Sequence, residues 1–113
     1  EYLVTQMFFD NSKYFAFVDE CRANGITVPI IPGLKPITNR KQTKFLPKTF
    51  HIDLPVDYTN ALERCKNDDE VKQMGIDFGI QQAKELKAAG VPCLHFYTMG
   101  RSEAVRAIVQ EVF

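Results

Sequence analysis

Residues 3–33 read LVTQMFFDNSKYFAFVDECRANGITVPIIPG, and the architecture follows from how this stretch divides. Leu3 to Phe9 is an apolar run with β-branched and aromatic residues, bounded by Asp10-Asn11, and reads as a buried strand. Asn11 or Ser12 can cap a helix, because a short polar side chain accepts a bond from a free backbone N–H. Tyr14, Phe17, Val18 and Cys21 then recur at helical spacing, and Gly25 ends the helix where a left-handed residue is cheap. Val28 to Ile31 is a second strand, closed by Pro32-Gly33. A strand, a helix and a strand in this order predict a parallel pair joined by a right-handed crossover.

Outward from this unit the pattern continues. Gly33 to Pro36 is a tight loop, Thr38 to Phe45 a short helix, Leu46 to Asp53 a connector, and Pro55 to Cys65 another short helix. From Asp68, the residues Val71, Met74, Phe78 and Leu86 form one apolar face, with Lys72, Lys84, Glu85 and Lys87 mainly outside it, and Gly90 stops the helix. Val91 to Met99 is a third strand, and a last helix from about Ser102 carries Val105, Ile108, Val109 and Val112. The order is β-α-β-α(α)α-β-α, with no hairpin, no repeat and no low-complexity segment. We expect residues 1–113 to form a single unit. A (βα)8 barrel of about 250 residues averages roughly 31 per unit, so three such strands amount to less than half a barrel. Exposed parallel edges then predict a piece of a larger protein, or association into a homo-oligomer. The opening Glu1-Tyr2-Leu3, without Met, agrees with the first alternative.

Composition narrows the function. Fourteen basic and fourteen acidic residues cancel, so no overall field draws the chain to nucleic acid or anionic membranes. No apolar run approaches the roughly 20 residues that span a bilayer. Cys21, Cys65 and Cys93 lie far apart without a CxxC pair, and read as reduced thiols of a cytoplasmic protein. His51 and His95 have no companions at metal-ligand spacing. A flavodoxin-like nucleotide domain is disfavoured, since neither GxGxxG nor GxxxxGK[ST] occurs.

Four stretches resemble one family: Thr5-Gln6-Met7-Phe8-Phe9-Asp10, Ile30-Ile31-Pro32-Gly33 with Pro36, Lys41-Gln42, and His95-Phe96-Tyr97-Thr98-Met99-Gly100-Arg101. In order and spacing they resemble the second half of methylenetetrahydrofolate reductase, from Leu3 to Phe113. The resemblance implies the C-terminal three βα units of a (βα)8 TIM barrel that holds FAD at its mouth. It implies a flavin reduced by NADH or NADPH that passes hydride to 5,10-methylenetetrahydrofolate, giving 5-methyltetrahydrofolate for methionine biosynthesis. By the same resemblance Gln6 contacts the nicotinamide donor and the folate in turn, Gln42 contacts folate, and Arg101 lies at the substrate site. Met99 stands where a leucine is common, and Leu46 where a phenylalanine can cover the substrate. The acid that protonates folate, the aspartate near the flavin and most FAD contacts belong to the family's first half, so no catalytic residue is assigned here and the chain alone is expected to be inactive. An ending at Phe113 suits the family members without a regulatory domain. The competing reading is a stand-alone folate-binding or oligomerisation module without redox activity.

Without the motifs, several of these residues read differently. Gln6 would be an amide inside an apolar strand, where burial unpaired costs roughly 1–3 kcal/mol and demands a protein partner or a ligand. Arg101 would begin the last helix in solvent, and Gln42 would sit on an exposed helix. His95 would be a core histidine, and Phe8-Phe9 and Phe96-Tyr97 core packing. Lys35, Arg40, Lys41, Lys44 and Lys48 would form a solvated basic face, though a polyglutamate tail or pyrophosphate could use their charge.

Overall fold

The computed structural model describes residues 1–50, 52–98 and 102–113. Their elements run β1 (Leu3–Val4), α1 (Asn11–Ala23), β2 (Ile30–Ile31), β3 (Gly33–Leu34), α2 (Arg40–Phe50), α3 (Val56–Glu63), α4 (Asp68–Ala88), β4 (His95–Phe96) and α5 (Glu103–Val112). β1 pairs in parallel with β2, and β3 in parallel with β4. The chain is therefore an α/β protein of parallel strands joined by helices, in the order read from the sequence.

The strands are shorter than their apolar runs, and prolines account for part of this. A proline donates no ladder bond. At Pro32 the middle strand changes partners: the Ile31 carbonyl accepts from Thr5 N–H of the first strand, while the Pro32 carbonyl accepts from His95 N–H of the last. Leu3 N–H to Pro29 O and Tyr97 N–H to Leu34 O extend the two ladders by one bond each. Residues 29–34 thus form the middle of a staggered three-strand arrangement.

The helices pack through faces that the sequence foreshadows in part. In α1, Tyr14 and Cys21 are buried and the Tyr14 hydroxyl donates to the Ile30 carbonyl at 2.6 Å, but Phe17 is exposed. The cap of α1 is Asp10 rather than Asn11 or Ser12; its carboxylate accepts from Ser12 N–H at 3.0 Å. Asn11 instead donates from Nδ2 to the Gln82 carbonyl and to Glu85 Oε1, tying α1 to α4. α2 runs on to Phe50, through Pro47, where a connector was expected. A proline inside a helix costs about 3 kcal/mol, here offset by Leu46, fully buried, and Phe50, which packs against the same core. α4 opens with a reciprocal cap: Glu70 N–H donates to Asn67 Oδ1 and Lys66 N–H donates to Glu70 Oε2. Gly25 and Gly90, which follow α1 and α4, have φ of 81° and 83°, the left-handed region expected at a helix end.

Two apolar clusters result. One gathers Met7, Phe9, Ile37, Leu46, Tyr58, Leu62, Cys65 and Val71. There Tyr58 and Phe78 stack with ring centroids 4.0 Å apart. The other joins α1, the middle strand, α4 and α5 through Tyr14, Cys21, Ile30, Leu34, Leu86 and Ile108.

Candidate functional site

Helices that follow or precede parallel strands begin at the strands' carboxyl ends. The first turns of α2, α4 and α5 therefore meet the segments that leave β3 and β4. Between them lies a cavity of about 440 Å³ lined by Lys35, Pro36, Thr38, Asn39, Gln42, Asp68, Asp69, Lys72, Tyr97, Thr98, Glu103 and Ala104. Its walls are polar, with both signs of charge. Lys72 pairs with Glu103 at 2.6 Å, and Asp68 accepts from Arg40 N–H at 3.1 Å.

Gln42 lines this cavity and is half-buried rather than fully exposed. Its position follows from a local cap: Gln42 N–H donates to Asn39 Oδ1 at 3.0 Å, and Gln42 Oε1 accepts from Thr38 N–H at 2.7 Å and from the Thr38 hydroxyl at 3.2 Å. The carbonyl end of the amide is thereby occupied by the loop. No bond is made by its Nε2 among the described residues, which leaves two N–H donors for a ligand.

Gln6 differs from its reading as a buried amide. It lies past the end of β1 and is exposed, and its Oε1 accepts from Met7 N–H at 3.1 Å. The apolar pattern around it is real, since Met7 and Phe9 are buried, but Gln6 lies where the strand has already left the ladder and its side chain stays exposed. Leu46 is fully buried in the first cluster, with its side chain in the core. Met99 and Arg101 lie outside the described residues, as do His51 and Gly100.

The geometry also brings in residues that were read as packing or as solvated charge. Tyr97 lines the cavity, and its hydroxyl donates to the Thr5 carbonyl at 2.8 Å, linking the last strand to the first. Its ring meets that of His95 edge-on at 4.6 Å; His95 is exposed, not a core histidine. Lys35 is 4% exposed and separate in character from the exposed Arg40, Lys41, Lys44 and Lys48. Its ammonium donates to the Pro36 carbonyl at 2.7 Å, and burial lowers its pKa. The flanking Leu34 and Pro36 were the available signal, since they place Lys35 inside an apolar run rather than on a helix face.

Parallel strands whose carboxyl ends share one polar cavity with three helix starts define an α/β protein of the class that takes its ligand at that end. The chain belongs to the methylenetetrahydrofolate reductase family: the family model of that description matches residues 1–112. It is 35% identical over 113 residues to methylenetetrahydrofolate reductase 1 of Schizosaccharomyces pombe, covering 99% of this chain and 19% of that one. To 5,10-methylenetetrahydrofolate reductase of Salmonella typhimurium it is 37% identical over 106 residues, covering 93% of this chain and 36% of that one. The chain thus spans well under half the length of these relatives. A solved structure of similar fold, with a TM-score of 0.57 and 19% identity, covers 98% of this chain and 41% of its own. It is described as an uncharacterized protein from Clostridium thermocellum that binds two copies of 5-methyl-5,6,7,8-tetrahydrofolic acid.

Proposed function

We propose that this chain is the C-terminal three βα units of a (βα)8 barrel, part of a flavin-dependent reductase that converts 5,10-methylenetetrahydrofolate to 5-methyltetrahydrofolate with NADH or NADPH. The observation that carries the reading is the cavity at the carboxyl ends of the parallel strands, with Gln42 on its wall and its Nε2 unbonded among the described residues, in a chain matched to the family over residues 1–112. Chemistry on a barrel is built at that end.

The described residues fit a part of such a site. Among the described residues neither Gln42 Nε2 nor Gln6 Nε2 makes a bond, so the first can donate to folate and the second, exposed past the end of β1, to a carboxamide or a pterin carbonyl. When bound, the flavin supplies two-electron transfer between the nicotinamide and the folate methylene group. This chain's role is to bind and orient folate and nicotinamide through neutral amides. Both carbonyl ends are held by neighbouring residues of the chain, so the Nε2 ends are the donors offered to each ligand in turn. The flavin's own contacts and the proton donor are assigned to the part of the barrel that precedes this chain, so the isolated chain is expected to be inactive. A cytoplasmic location accompanies the reading.

The test is a flavin titration followed by turnover. FAD fluorescence should be unchanged by the 113-residue chain and quenched by the polypeptide at its full natural length. The latter should oxidise NADH or NADPH only with methylenetetrahydrofolate or another acceptor present. In it, Gln6→Ala should lower kcat/KM for folate about tenfold or more, the loss expected for one desolvated hydrogen bond. Folate binding at full length without nicotinamide oxidation would favour a binding module over a reductase.

A further inference from the structure

The ladder between the first and middle strands stops in an unusual way. Leu3 N–H bonds Pro29 O, and Thr5 N–H bonds Ile31 O. The next rungs of a parallel pair would run from Gly33 N–H to Thr5 O and from Met7 N–H to Gly33 O. Three side chains take those positions instead. Gly33 N–H donates to the Thr5 hydroxyl at 2.9 Å, the Thr5 carbonyl accepts from the Tyr97 hydroxyl at 2.8 Å, and Met7 N–H donates to Gln6 Oε1 at 3.1 Å. The first strand therefore leaves the sheet at Thr5 with Gly33 N–H, Thr5 O and Met7 N–H satisfied by side chains, and Gln6 is the residue at the point of departure.

Tyr97 reaches Thr5 across Gly33. A Cβ at residue 33 would lie 2.6 Å from the Thr5 carbonyl oxygen and 2.6 Å from Tyr97 Cε2, so only glycine lets the ring and the carbonyl meet. The carbonyl that Tyr97 holds belongs to the Thr5–Gln6 peptide, whose N–H is that of Gln6. Holding one end of a planar peptide fixes the other.

We propose that Tyr97 is the positioning residue for Gln6: its hydroxyl keeps the Thr5 carbonyl out of the ladder and so presents the Gln6 amide to its ligand. The inference rests on the reading that Gln6 contacts folate. Without the Tyr97 hydroxyl, Gly33 N–H can exchange the Thr5 hydroxyl for the Thr5 carbonyl, the first strand zips one rung further, and Gln6 turns with it. His95, packed edge-on against Tyr97, keeps the ring over Gly33.

A double-mutant cycle on the full-length polypeptide tests this, with the dissociation constant of 5-methyltetrahydrofolate as readout. Tyr97→Phe should weaken binding about five- to tenfold, the equivalent of one net hydrogen bond. Gln6→Ala should weaken it at least as much, and the double variant should be no worse than Gln6→Ala alone. Gly33→Ala, which wedges the ring away from Thr5, should reproduce the Tyr97→Phe loss and serves if Tyr97→Phe does not fold. Tyr58→Phe removes a different tyrosine hydroxyl, one buried in the core, and should leave binding unchanged. Losses that add, or a Tyr97→Phe protein that binds like wild type, would overturn the positioning role while leaving the folate reading intact. A wild-type protein that binds no folate would overturn both, and is told apart by that first titration.

Discussion

At Lys35 an ammonium is held where water reaches little of it, with a single backbone carbonyl as its hydrogen-bond partner among the described residues. Burial disfavours the charged form and lowers the pKa. The folded protein therefore binds this proton less readily than the unfolded chain, where the value is 10.5. The penalty is complete below the folded pKa and absent above 10.5, so its relief stabilises the fold as pH rises through that window. Lys35→Met should accordingly raise stability at pH 7, on the order of 1 kcal/mol, because no buried charge needs a partner. The gain, read from urea denaturation at several pH values, should shrink as pH approaches 10.5. An unchanged gain across that range would mean the ammonium is solvated after all. Tyr58 shows the neutral counterpart: its hydroxyl is buried without a hydrogen-bond partner among the described residues, and burial pushes its pKa up. Tyr58→Phe should therefore leave stability unchanged or raise it slightly, by a melting temperature no lower than wild type.

Among the elements, α4 has the tightest constraints. Gly75 and Gly79 lie one turn apart on its buried face. A Cβ on Gly75 would collide with the backbone carbonyl of Ile37, whereas one on Gly79 would meet Ile108 Cδ1, the end of a flexible side chain, at 2.5 Å. Alanine in an exposed helix would gain about 1 kcal/mol over glycine. At residue 75 the collision should win, because backbone cannot swing aside, and Gly75→Ala should lose about 1–3 kcal/mol. Gly79→Ala should lose less, since Ile108 can change rotamer. Urea midpoints of the two variants check the order, and equal midpoints would contradict it. The loop that Gly75 supports runs from Lys35 to Asn39, so Gly75→Ala should also disturb the wall on which Gln42 sits.

The whole molecule measures 47 × 29 × 24 Å with a radius of gyration of 14.3 Å, against about 13 Å for a compact domain of this length. Its elongated form leaves the first strand uncovered, with Tyr2, Leu3 and Val4 at 65%, 42% and 39% exposure. An open apolar strand edge invites pairing. The purified 113-residue chain should associate at high concentration, by light scattering, and Val4→Lys should shift it toward monomer. A monodisperse wild-type monomer would show that water alone suffices to cover this edge.

The sequence by itself determined the order of strands and helices, their parallel sense and the family. These depend on local periodicity, on capping and turn residues, and on motifs that survive as strings. The glycine stops at Gly25 and Gly90 were legible for the same reason. What a side chain does at the site depended on neighbours far away in the chain. Gln6 read as buried because its neighbours are apolar, yet the early end of the ladder turns it outward. Leu46 read as a substrate contact and lies in the core, while Lys35 read as solvated and is buried. Tyr97 read as packing, and only the crossing of residues 5, 33 and 97 shows its hydroxyl closing a strand 92 positions away. No local pattern encodes such a contact, because it exists only once three separate strands lie side by side.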